Sequence, residues 1–162
     1  MSELPIQPLT QSLMDSIAKQ ACSSPRQRKN YNFHQPPDRV QRFLNVLQPG
    51  TYVRPHRHLR PPNASGFEFF LVLQGAIGML ILDEAGRVIH TERISAMGET
   101  RGVELGEGMF HTLVALEPDT VMFELKEGPY VPISDKDFLQ EFPLENTLEA
   151  QQWVEIWRER FE

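Results

Sequence analysis

Gly50-Thr-Tyr-Val-Arg-Pro-His-Arg-His58, then nine residues, then Glu68-Phe-Phe-Leu-Val-Leu-Gln-Gly75 is the stretch on which the reading of this chain turns. Successive side chains of an extended strand leave opposite faces, so His56 and His58 leave the same one, and their imidazoles make a metal half-site. By the same parity Glu68 points the way of Phe70 and Val72, and a carboxylate on an apolar face needs a charge partner. A divalent cation held by His56 and His58 supplies it. A single histidine in a strand is usually just packed or solvated, and a Glu that opens a strand is usually solvated. The metal reading therefore needs a third imidazole, and His111 is the candidate, on a face shared with Leu113 and Ala115.

Outward from that stretch, short apolar runs are separated by turn signals. Residues 40–48 read as a strand with Val40, Arg42, Leu44 and Val46 on one face and Gln41, Phe43, Asn45 and Leu47 on the other. Thr51–His58 reads as a second strand, Pro55 marking an edge or bulge. Residues 67–74, 77–82, 88–94, 109–116 and 120–126 follow as strands, with Asp83-Glu84-Ala85-Gly86 as a hairpin turn. Residues 25–39 and 98–108 read as loops, the former carrying Arg26, Arg28, Lys29 and His34, a possible cationic lid over an anionic ligand. His90 reads as structural or superficial. Leu13, Met14, Ile17, Ala18 and Ala21 recur at helical spacing over residues 10–23, with Ser12 and Asp15 as a capping box. Ser134 or Asp135 is expected to cap a short helix through Glu141. Thr147–Phe161 reads as a helix with Leu148, Trp153, Ile156, Trp157 and Phe161 on its apolar stripe. The organisation expected is one domain: residues 1–39 as helix and polar loop, 40–132 as a β-barrel, and 133–162 as a C-terminal helical segment.

Composition narrows the classes. The 162 residues are 40% hydrophobic, enough for one sizeable core. No apolar run reaches the roughly 20 residues that a spanning helix needs. The start lacks the pattern of a secretory leader, and Cys22 is the only cysteine, so a reducing cytoplasm is expected and no intrachain disulfide can form. A net charge of −6 without a long basic run argues against nucleic acid as a partner. No membrane partner is expected either.

These residues resemble the first motif of the cupin superfamily, in which Gly, five residues, His-x-His, Glu, six residues and Gly succeed one another, here Gly50, His56, His58, Glu68 and Gly75. The nine-residue gap before Glu68 is longer than the usual three or four. In the second motif Gly108 and His111 are kept, while Gly106 stands for a Pro and Ala115 for an Asn. More narrowly the chain is similar to the WbuC family of cupin-fold metalloproteins. The run Leu47-Gln48-Pro49-Gly50-Thr51-Tyr52-Val53-Arg54-Pro55-His56-Arg57-His58 carries this likeness, with Ser24-Pro25-Arg26, Asn32-Phe33-His34, Gln41-Arg42, Lys126-Glu127-Gly128-Pro129-Tyr130 and Asp135-Lys136-Asp137-Phe138. The resemblance implies a mainly β, antiparallel jelly-roll barrel with an N-terminal helix and C-terminal helices, commonly a homodimer. It further implies one divalent transition metal (Fe, Mn, Ni, Co or Zn) and a setting in surface-polysaccharide gene clusters, hence a sugar or sugar nucleotide.

The ligand set expected is therefore His56, His58, Glu68 and His111, with open positions on the ion. Arg54 and Tyr52, placed by parity on the face of His56, are expected to bind a small polar or anionic molecule. Arg42, Lys126, His34 and Glu124 are further candidates, the last two as acid/base groups. Arg57 is expected to point outward. Three functions follow: a metal-dependent enzyme, a binding or sensor module without turnover, and a barrel in which the metal is only a staple.

Overall fold

A computed structural model describes residues 6–60, 66–129, 131 and 136–162. Two helices flank ten strands: α1 Gln11–Cys22, β1 Arg28–Asn32, β2 Val40–Leu47, β3 His56–Arg57, β4 Phe67–Gln74, β5 Ala76–Leu82, β6 Val88–Ser95, β7 Gly102–Gly106, β8 Phe110–Ala115, β9 Thr120–Glu127, β10 Asp137–Phe138 and α2 Leu148–Arg158, which a 3-10 turn at Glu159–Phe161 extends. The strands form two five-stranded sheets, in orders β1-β2-β9-β4-β7 and β10-β3-β8-β5-β6, and their pairs are antiparallel. This is the jelly-roll arrangement of a cupin-type fold. No helix is long and apolar enough to cross a membrane among the described residues.

The layers follow from side-chain parity. Between the sheets lie Leu47, Phe70, Val72, Ile77, Met79, Leu113 and Met122. Odd and even positions of β2 part company: Leu44 and Val46 face outward onto Met14, Ile17, Ala18 and Ala21 of α1. Each of the larger side chains buried there, Leu44, Val46, Met14 and Ile17, contributes about 1.5–3 kcal/mol. The N-terminal stripe is thus covered by the chain's own first sheet. The outer face of the second sheet is covered by α2, where Leu80 and Val114 meet Val154 and Trp157. Gly78 lets β5 accept this cover, since a Cβ there would lie 2.3 Å from the Phe161 ring.

Several local expectations change. Thr10, not Ser12, caps α1, its hydroxyl oxygen accepting from Leu13 N–H at 3.1 Å. Arg28–Asn32, inside the stretch expected to be a loop, is the edge strand of the first sheet, because its backbone pairs with β2 whatever its side chains. Gly102–Gly106 likewise pairs with β4. Residues 51–55 are not a regular strand; only His56 and Arg57 pair, on β8 and β10. Asp137–Phe138 is a strand followed by a turn rather than helix, because β3 offers it backbone partners; its proposed caps Ser134 and Asp135 lie outside the described residues. Helix α2 begins at the cap Thr147 and buries Ala150, Val154 and Trp157, leaving Leu148 79% and Ile156 45% exposed.

Candidate metal centre

His56 enters from β3, His58 from the residue following that strand, His111 from β8 and Glu68 from β4, and all four are buried. β3 and β8 pair His56 directly with His111, which sets their ring centroids 4.6 Å apart. His56 and His58 follow at 5.0 Å. One ring nitrogen from each of the three lies within 4.8 Å of the others, a cluster that can hold a metal ion. Glu68 faces it from the opposite sheet. Its Oε1 is 3.1 Å from His58 Nε2 and its Oε2 is 3.4 Å from His111 Nε2.

The donor set suits a divalent transition metal. His56 Nδ1 is 2.9 Å from the Arg54 carbonyl and His111 Nδ1 is 2.9 Å from the Met109 carbonyl. A carbonyl can only accept, so each Nδ1 carries the proton and each Nε2 keeps its lone pair, as metal-binding histidines do. Burial, aided by nearby Lys136 and the neighbouring histidines, holds His56 well below the usual imidazole range. Burial also lowers His111, against the pull of Glu68. Both rings are therefore neutral at pH 7, the form that ligates. Burial alone would raise Glu68, but the His58 hydrogen bond and the fields of His111, His58 and Lys126 outweigh it and hold the carboxyl far below its ordinary value.

The centre opens on a cavity of about 720 Å³ between the sheets, within the size range of small-molecule sites. His34, Glu124 and Lys126 line it. Glu124 is held by Asn45, whose Nδ2 donates to Oε2 at 2.6 Å. Burial, reinforced by the Glu68 charge, pushes the Glu124 carboxyl up to about 8. His34 Nδ1 lies 2.9 Å from the Arg42 backbone nitrogen and 3.0 Å from the Arg42 carbonyl oxygen, which hold the ring in place.

The other three candidates do not line the cavity. Arg42 sits on the outer face of β2 and pairs with Asp38 at 2.8 Å. Tyr52 turns to the second helix, stacking on Trp157 at 5.7 Å and donating its hydroxyl to the Pro143 carbonyl. Arg54 lies over the Phe138 ring at 5.2 Å and reaches the Gln140 carbonyl. Parity failed for these two because the chain before His56 is not a regular strand, and Val53 faces the cavity in their place. Arg57 points away as expected, to Asp137. From the polar stretch 25–39, Asn30 and Asn32 line the cavity along with Arg26, Arg28 and Lys29, and so do Gln41 and Asn45, which the sequence reading did not assign to a site. The signal for two of them was present, since Gln41 and Asn45 alternate with the outward face of β2.

The fold and the site together define a cupin-type protein with three histidines able to hold a metal. Residues 9–94, over half the chain, match a family described as Domain of unknown function (DUF6016), and the chain belongs to that family. No curated protein matches its sequence. Among solved structures it is similar to CapF with the inhibitor 3-isopropenyl-tropolone, at 23% identity and a TM-score of 0.58, over 72% of this chain and 32% of that one. It is also similar to the capsular polysaccharide assembling protein CapF from Staphylococcus aureus, at 25% identity and a TM-score of 0.52, over 68% of this chain and 31% of that one. The chain spans about a third of the length of these proteins.

Proposed function

We propose that this chain is a divalent-metal cupin that acts on a small polar or anionic molecule, a sugar or sugar nucleotide of surface-polysaccharide synthesis. The observation that carries the reading is the convergence of three buried ring nitrogens within 4.8 Å, beside a carboxylate, on a large polar cavity. His56, His58, His111 and Glu68 would hold the ion, one of Fe, Mn, Ni, Co or Zn, and it would supply Lewis acidity to a bound oxygen. The chain's own residues supply the rest. Glu124 keeps a proton near neutral pH; its carboxyl takes the Asn45 amide on Oε2 and shares a hydrogen bond with Glu68, so a ligand would draw that proton from the pair of carboxyls. The carbohydrate setting is supported by the WbuC-like run from Leu47 to His58 and by the description of the similar Staphylococcus aureus CapF as a capsular polysaccharide assembling protein. A cytoplasmic homodimer belongs to the same reading.

Metal content by inductively coupled plasma mass spectrometry tests it. One equivalent of a transition metal is expected in the wild type and none in the His56→Ala/His58→Ala double variant. A wild type that stays metal-free after reconstitution refutes the reading.

A further inference from the structure

The first sheet carries an unusual row on its inner face. Gln41 of β2 pairs in register with Lys126 of β9, and Lys126 pairs with Glu68 of β4. Residues opposite one another on neighbouring strands project from the same face, with Cβ atoms roughly 4.5–5.5 Å apart. The row therefore runs inward-facing from the metal-side carboxylate to Lys126 and on to Gln41. At about 4.8 Å per strand, Gln41 stands about 10 Å from Glu68.

Gln41 lacks a reason to be there as a core residue. It is 3% exposed, it lines the cavity, and its Nε2 has no hydrogen-bond partner among the described residues. A buried donor left without an acceptor costs about 1–3 kcal/mol, so a position that keeps one has a use for it. Beside it Lys126, 4% exposed, brings an ammonium to the same wall. Although the chain as a whole carries −6, the cavity is lined by Lys29, Lys126 and Lys136, and by Arg26 and Arg28, which pair with Glu145, against two carboxylates, one of which faces the histidines. The next two rows add Asn32 opposite Phe43, which is opposite Glu124, and Asn30 opposite Asn45. These side chains both give and accept hydrogen bonds, as hydroxyl groups require.

We propose that Gln41 and Lys126 form an oxyanion subsite, and that the ligand is a polyhydroxylated molecule of monosaccharide size. One end would meet the metal, and a carboxylate or phosphate at the other would meet Lys126, one strand from Glu68, and Gln41, two strands from it. The inference rests on the metal reading above and adds to it the charge, length and specificity residue of the substrate.

Isothermal titration of the zinc-loaded full chain with D-glucuronate, D-glucose 6-phosphate and D-glucose tests it. At least one of the two anions is expected to bind about tenfold or more tightly than glucose, the yield of one charge-assisted hydrogen bond. The anion that does so tells a carboxylate from a phosphate ligand. Gln41→Glu keeps the side-chain shape but turns the donor into an acceptor. It should lower anion affinity about tenfold or more while zinc stoichiometry stays at the wild-type value. Gln41→Leu, which removes the donor without adding charge, should show a loss in the same direction. Anion affinity unchanged in both variants, glucose bound as tightly as the anions, or neither anion bound overturns the subsite and leaves the metal reading standing. A wild type that takes up no zinc or other transition metal overturns the metal reading itself.

Discussion

Glu145, in the turn before α2, should be worth more to this protein than its place near the surface suggests. Its carboxylate receives Arg26 Nε at 2.7 Å and also pairs with Arg28, whose Nη1 donates to the Tyr52 carbonyl at 2.6 Å. One carboxylate thus ties the edge strand β1 to the C-terminal segment and, through Arg28, to the chain leading into His56 and His58. The Arg28 side chain is only 11% exposed, while Glu145 is 28% exposed. Exposed pairs are worth about 0.2–1 kcal/mol, whereas stranding one buried partner costs about 3–5 kcal/mol. Glu145→Gln leaves a mostly buried guanidinium with a partly wet partner, so we expect an intermediate loss of about 1–3 kcal/mol. For a chain of this size that is about 2–12 °C in Tm, at about 2–4 °C per kcal/mol. Urea unfolding of Glu145→Gln, Arg28→Met and the double variant isolates the pair, with an expected coupling of about 1–2 kcal/mol at pH 7. The pH dependence has a definite sign. Burial alone would raise Glu145, but Arg26 and Arg28 outweigh it and hold the carboxyl below its ordinary value. Its contribution is therefore complete above the ordinary carboxylate range and is lost as pH falls through the lowered value. A coupling under about 0.5 kcal/mol at pH 7, or one that persists at acid pH, would refute the claim that the surrounding structure shields this pair.

Removing the metal should cost stability as well as function. A metal present at a hundredfold its Kd stabilises by about 2.7 kcal/mol, so chelation should lower Tm by about 5–11 °C in the wild type and leave His111→Ala unmoved in a differential scanning experiment. Trp157 is 1% exposed and stacks on Tyr52, so Trp157→Ala should cost about 3–5 kcal/mol by urea unfolding. Arg54→Ala, at a side chain engaged with Phe138 and Gln140 outside the cavity, should leave metal stoichiometry and anion affinity by calorimetry at wild-type values. If the chain is a homodimer through the exposed apolar side chains of α2, Leu148→Asp/Ile156→Asp should sediment as a monomer at concentrations where the wild type does not.

The sequence by itself determined what depends on short-range geometry. A short run from Phe67 onward, apolar on both faces and ended by Gly75, predicts a strand, and the structure has one at Phe67–Gln74. The stripe of α1 predicts the face that is buried, because 3.6-residue periodicity is a property of the local backbone. The two-residue spacing of His56 and His58 names a half-site without any knowledge of the rest of the chain. Tertiary structure decided what depends on pairing. It brought His111 opposite His56 through a single bridge between β3 and β8, and Glu68 to the same point from the facing sheet. It withdrew Tyr52 and Arg54, because parity holds only in a regular strand and residues 51–55 form none, their carbonyls being met singly by Arg28, Thr112 and Leu139. It made Arg28–Asn32 a strand despite its polar side chains, since an edge strand is held by backbone hydrogen bonds to its one neighbour. The inward direction of Gln41 was likewise settled only by the register of β2 on β9, because alternation divides a strand into two faces and only the neighbouring strands decide which of them meets the cavity.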